Sequence, residues 1–231
     1  VAALWRAWLL RYRTPDESWA WHPYTVSERA VNLIRHWRRH GMPAVGTTRA
    51  ALRVHAYSIL HRLEYFGDHH TSNHLANNGR GLYLIGAILN DEQLLSLGSK
   101  ILTAEIQRIF LPSGVLREGS THYHALLAKN LVEVWIVADK MDREEAVEFK
   151  EAALTALSVL ELFRLPGRFP LIGDISPDLD PDTLVMVLFS MGPETDDLDI
   201  ISGAGCRKLR ELKARLPSTD QDALSADGWL R

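Results

Sequence analysis

Residues 143–163 read REEAVEFKEAALTALSVLELF, and the spacing of their apolar side chains decides the fold class. Phe149, Ala153, Ala156, Leu160 and Phe163 recur at alternating intervals of four and three residues. An α-helix advances 3.6 residues per turn, so these positions form one stripe on a helix from about Arg143 to Phe163. Outward from it, Leu127, Leu131, Val134 and Ala138 place the same stripe on a helix opening near Ser120. Leu52, Ile59, Leu63 and Phe66 predict a helix over about Thr48–Phe66. Leu102, Ile106, Ile109 and Phe110 predict another from about Glu92 to Leu111. Gly79 to Leu89 is apolar nearly all round, the pattern of a helix packed on every side.

The punctuation agrees. Thr25 or Ser27 can cap a helix that runs to His40, where Gly41-Met42-Pro43 ends it. Pro112-Ser113-Gly114 and Leu165-Pro166-Gly167 are turns, and a short helix is expected at about Asp182–Ser190. No segment alternates like a strand between hairpin turns. The expectation is all-α: at least seven helices forming an incomplete α/α toroid of antiparallel helical hairpins.

Composition narrows the function classes. Hydrophobic residues make up 46% of the 231, enough for a substantial core. A formal net charge of −3 gives no global reason to expect nucleic acid or another polyanion as a partner. No apolar run reaches the roughly 18 residues a membrane span needs. The single Cys206 excludes an internal disulfide. The opening VAALWRAWLLRYR reads as an amphipathic helix, not a signal peptide. Charge is uneven: residues 29–63 hold seven Arg and no acid, while residues 174–199 hold eight acids. The Arg run is either a set of solvated helix faces or a surface for an anionic ligand. The acids lack the oxygen-ligand spacing of a calcium loop.

Two segments carry candidate chemistry. Residues 68–80, DHHTSNHLANNGR, join two helices; Ser72 or Asn73 can cap the second, leaving Asn73 and His74 at its positive end, suited to a carboxylate. Residues 117–124, REGSTHYH, place Ser120 as an N-cap and Tyr123 in the first turn. Each has an ordinary structural explanation: an Asn cap, or a core Tyr whose hydroxyl has found a partner. Their occurrence together at two helix starts favours a site.

The same residues bear a family likeness. SNHLANNGRGLYLIGAIL followed by LREGSTHYHALL resembles the paired signature of heparinase II/III-like polysaccharide lyases. WHPYTVSERAVNLI is similar to that family's helix entry, and RFPLIGDISPD to its Pro-x-Ile-Gly-Asp turn. The resemblance runs from Trp21 to Asp178. It implies a helical toroid over residues 1–225 and, in ADGWLR, the opening at 226–231 of a β-sandwich against which the toroid packs. It also implies β-elimination on an acidic, uronate-containing polysaccharide, in the periplasm or outside the cell, with no cofactor or metal. In that reaction Asn73 neutralises the sugar carboxylate and Tyr123 serves as base and acid, its pKa lowered by neighbouring His or Arg. His74 assists. Trp21, Tyr24, Arg29, Asn77, Arg80, Arg117 and His124 are expected to bind substrate, and Asn73, His74 and Tyr123 to share one concave surface with some of Trp21, Tyr24, Arg29, Arg80, Arg117 and His124.

Other readings stay open at this stage. An α/α-toroid glycoside hydrolase would use two carboxylates, for which Glu118 and Asp174 are candidates. A zinc-binding or purely structural module would draw on His70, His74, His122 and His124. A glycan-binding fragment without catalysis would keep Trp21, Tyr24 and the Arg face.

Overall fold

A computed structural model describes residues 1–70, 73–163, 169–176, 179–180, 183–184, 188, 205–216 and 225–227. Eight α-helices stand among them: α1 (Ala2–Arg11), α2 (Pro23–His40), α3 (Val45–Leu60), α4 (His74–Leu89), α5 (Glu92–Ile109), α6 (Thr121–Lys140), α7 (Ala146–Leu162) and α8 (Gly205–Lys213). A 3₁₀ turn, Trp19–Trp21, precedes α2. No strand occurs among the described residues, and β pairing is limited to an isolated bridge between Phe110 and Leu116. The fold is all-α. No described helix is long and apolar enough to cross a membrane. The chain divides into two compact units: residues 1–67 with 74–102, and residues 68–73 with 103–231.

In the first unit α4 is the centre. All of its residues from Leu75 to Ala87 are buried, as its all-round apolar sequence predicts. Gly81 lets α2 come close: a Cβ there would lie 2.6 Å from Ser27 Oγ and 3.1 Å from Ser27 Cα. The helix starts meet as well, since Asn77 near the head of α4 donates to the Tyr24 carbonyl near the head of α2. The two therefore run parallel. α3 packs against both in the opposite sense, its Arg49 donating to the last carbonyls of α4, Ile88 O at 2.8 Å and Leu89 O at 3.0 Å. That guanidinium closes a helix end whose carbonyls have no partner within the helix.

Two boundaries differ from the sequence reading. α2 starts at Pro23, not at Thr25 or Ser27, because proline suits the first helical position, where no amide is needed. Gly41, at φ 78°, ends it as expected. α3 stops at Leu60, although Leu63 and Phe66 continue its stripe. Beyond it the Glu64 amide donates to the side chain of Asn78 and leaves the helical ladder.

In the second unit α6 and α7 form an antiparallel hairpin. His124, in the first turn of α6, bonds the carbonyl of Ala156 in the latter half of α7. Phe149, Ala153, Ala156 and Leu160 of the opening stripe are buried. A segment from Phe169 to Ser176 lies across the start of α6. Thr121 Oγ1 donates to Pro170 O (2.6 Å), the Ile172 amide donates to Thr121 Oγ1 (3.0 Å), and Ser120 Oγ donates to Asp174 O (2.6 Å). Gly173, at φ 77°, passes so near that a Cβ would sit 2.8 Å from Gly119 O, so only glycine fits. The expected turn at Leu165-Pro166-Gly167 lies outside the described residues, as do most of Asp182–Ser190 and the tail from Gly228.

Candidate functional site

Glu64 is the hub of a polar cluster in the first unit. Its amide donates to Asn78 Oδ1, and Asn78 Nδ2 donates back to Glu64 Oε2, both at 2.9 Å. These reciprocal bonds fix the stretch after α3 onto the first turns of α4. Glu64 Oε1 accepts from His74 Nδ1 at 2.6 Å, and His22 Nε2 stands 3.6 Å from the same oxygen. The residue is only 7% exposed. Burial alone would raise its pKa, but the hydrogen bonds from His74 and Asn78 and the adjacent imidazoles outweigh it and hold the carboxyl below its ordinary value.

That carboxylate sets the chemistry of His74. With the Nδ1 proton given to Glu64, the neutral ring carries its lone pair on Nε2. The side chain is 42% exposed, so the ring stands at a surface that solvent reaches. Its first position in α4 adds the positive end of the helix. Tyr24 packs beside it, ring centroids 4.9 Å apart, and His22 lies edge-on at 6.3 Å. The arrangement can accept a proton at Nε2 or, when protonated, present a cation steadied by Glu64.

Several residues expected to touch substrate lie beneath this surface instead. Arg80 is 1% exposed and donates to Glu28 Oε1 (2.7 Å) and Asn77 Oδ1 (3.2 Å). Asn77 is spent on Tyr24 O and that guanidinium. Trp21 is buried, packed on Trp8 and His55 at 5.3 and 5.4 Å. Arg29 lies over the Trp8 ring at 4.3 Å and donates Nε to His55 Nε2. These side chains are engaged with partners inside the first unit. The Arg run is likewise committed in part: Arg49 to the end of α4, Arg62 to Asp16 O and Glu17.

In the second unit the α6 start is capped as the sequence predicts. Ser120 Oγ accepts from the Tyr123 amide at 3.0 Å, which sets Tyr123 in the first turn with its side chain partly exposed. Its environment corrects the expected pKa. Burial raises it, and the nearby carboxylates Asp174 and Glu118 raise it further. Among the described residues no histidine or arginine lowers it. His124 cannot contribute charge or contact substrate: it is buried, Nδ1 accepts from the Leu116 amide, Nε2 donates to Ala156 O, and desolvation drops its pKa to about 4. His122 is buried too, accepting from the Ser176 amide. Arg117 is exposed and, with Asp68, His69, Gln107 and Arg108, lines a cavity of about 390 Å³. Asn73 is buried. Ser72, the alternative cap, lies outside the described residues.

No group of three or more His, Cys, Asp or Glu gathers as metal ligands among the described residues. The residue that sequence reasoning missed is Glu64. Its one signal was isolation: it is the first acid after the seven Arg, and nothing local ties it to Asn78, 14 positions away.

Comparison with known proteins adds a single finding. The family model described as heparinase II/III N-terminus matches residues 3–179. No curated protein and no solved structure matches the chain.

Proposed function

The chain belongs to the heparinase II/III N-terminal family, and from that premise we propose that it is the helical part of a lyase that cleaves a uronate-containing polysaccharide by β-elimination. The observation that carries the reading is the pairing of His74 with buried Glu64 inside the Asn-His segment. The C5 proton of a uronate becomes acidic only when its carboxylate is neutralised, and donors aimed at the developing enolate supply that stabilisation. Asn73 is assigned that work by resemblance. His74 has a fixed tautomer and a lone pair at Nε2, which fits it to help in taking the proton. Tyr123 is the base/acid by resemblance, and its surroundings favour the acid half, with the C5 proton passing to His74 and Tyr123 donating to the leaving oxygen. Its raised pKa keeps the hydroxyl protonated at neutral pH, the form that gives a proton to the departing O4. The outcome is a broken C4–O4 bond and a 4,5-unsaturated uronate.

The test is an absorbance screen of the full-length protein against alginate, heparan sulfate and other polyuronates, since the unsaturated product absorbs in the ultraviolet. Tyr123→Phe keeps the ring but removes the proton, and should lower kcat by roughly 10²–10⁴-fold with polymer binding retained. Turnover within threefold of wild type would remove Tyr123 from the reaction. One observation favours a second reading: Glu118 and Asp174 both act on the same tyrosine, a carboxylate pair of the kind a glycoside hydrolase uses. Chain cleavage without ultraviolet absorbance would select it.

A further inference from the structure

We infer that Trp19, with Tyr65 and Phe66, forms a stacking subsite for a sugar of the polymer beside the His22–Glu64–His74 cluster; the identity of that sugar as part of a polyuronate rests on the function proposed above. Trp19 is 79% exposed, Tyr65 56% and Phe66 63%. Three large aromatic side chains facing water within two short segments are more than the core requires, and exposed patches of this kind mark binding surfaces.

The segments that carry them are joined twice. Arg62 Nη1 donates to Asp16 O and its Nη2 pairs with Glu17 Oε2, both at 3.0 Å. Further along, His22 Nε2 stands 3.6 Å from Glu64 Oε1. Trp19 lies between the two links on one segment, and Tyr65 and Phe66 follow directly after the second link on the other. The turn that presents Trp19 is also braced. Asp16 Oδ1 accepts from both the amide and the hydroxyl of Ser18, and the Trp21 amide donates to Ser18 O at 2.9 Å. Trp21, two residues on, is a buried anchor, so Trp19 is held outward on a fixed turn. Its ring packs on His22, centroids 5.1 Å apart, which places the platform next to the cluster.

The chemistry of the surroundings selects the occupant. A helix partner or a lipid surface would want an unbroken apolar stripe. Here aromatic faces are interleaved with hydrogen-bonding imidazoles and a carboxylate. A pyranose matches that mixture, with an apolar face for the ring and hydroxyls at its edge.

The test uses the full-length protein carrying Trp19→Ala, Trp19→Phe and Tyr65→Ala/Phe66→Ala. On the polyuronate cleaved by wild type, Trp19→Ala should raise KM about 10-fold with kcat within about twofold, because a remote stacking contact is lost equally from ground and transition states. Trp19→Phe should restore most of the affinity, and the melting temperature should not move. Tyr65→Ala/Phe66→Ala should raise KM in the same direction. An unchanged KM in Trp19→Ala, or a fall in kcat alone, overturns the subsite and leaves the lyase reading standing. If no polymer is cleaved, retention of the same variants in gels containing alginate or heparan sulfate decides. Weaker retention of Trp19→Ala than of wild type upholds the subsite while the lyase reading falls. Equal retention, or none by wild type, overturns it.

Discussion

At the start of α4 a carboxylate from outside the helix reaches in to orient a histidine, whereas at the start of α6 the helix secures itself through its own Ser120 cap and a crossing segment. Both starts are rich in histidine and hydroxyl groups, and in sequence they look alike. In the first, burial falls on the carboxylate and the imidazole is left partly exposed. In the second, burial falls on the imidazoles of His122 and His124, and the tyrosine beside them is left among acids. The difference lies in which group carries the desolvation cost. A buried carboxylate with two donors and a further imidazole nearby stays charged and can steady a proton acceptor, while a buried histidine bonded to backbone is pushed neutral and becomes scaffold.

The largest effect that bears on this contrast is acid sensitivity. Burial lowers the folded-state pKa of His55 to about 3 and of His124 to about 4, against an ordinary value of 6.5. The unfolded chain takes up these protons as pH falls below 6.5 while the folded chain does not, so stability is complete above that pH and drains away toward pH 4. Each histidine should remove on the order of 3 kcal/mol across that window. Urea unfolding at pH 7, 5.5 and 4 measures it; a flat profile down to pH 4.5 would mean that water reaches both rings. The Glu64 contribution has a lower window, because a depressed carboxyl pKa costs stability only below the ordinary carboxylate range.

Next in size is Glu64→Gln, which keeps the shape of the hub but not its charge. By analogy with other residues that orient a catalytic imidazole, kcat should fall about 10- to 100-fold. The acid limb of the rate profile should move to lower pH, since protonated His74 loses its counter-charge and gives up its proton more readily. An unaltered pH profile would reduce Glu64 to a structural role. The smallest effect belongs to the other start. Ser120→Ala should lower stability by about 1 kcal/mol through loss of the cap. Its mark should be in the melting temperature, with the pH profile unmoved. If Ser120→Ala shifts the pH profile and Glu64→Gln does not, the two starts have been assigned the wrong way round.

How much was legible in the sequence follows from the same physics. Helical stripes report local periodicity, so α6 and α7 could be read directly, and the all-round apolar run of α4 announced its burial. Boundaries failed where a distant group intervened, as when Asn78 took the amide of Glu64 and ended α3 short of Leu63 and Phe66. Among site residues, His74 and Tyr123 were marked by type and by position at a helix start. Trp21, Arg80 and His124 were marked by type too, but a partner within the fold turned each of them inward: the Trp8 ring, Glu28 and the carbonyl of Ala156. Glu64 left no local pattern at all. Its role exists only through residues 10 and 14 positions away.

The tryptophans have an optical consequence. Of the seven in the chain, Trp5, Trp8, Trp19, Trp21 and Trp37 belong to the first unit, Trp135 belongs to the second, and Trp229 lies outside the described residues. Trp5 and Trp8 stack with centroids 5.3 Å apart and planes only 2° from parallel, with Trp21 and Trp37 against them. Indoles this close couple their transition dipoles. Ultraviolet emission and near-ultraviolet circular dichroism from the chain will therefore be dominated by one unit, and loss of that signal during unfolding will time the first unit. Far-ultraviolet ellipticity will report every helix at once. A gap between the two traces would reveal that the units come apart in sequence.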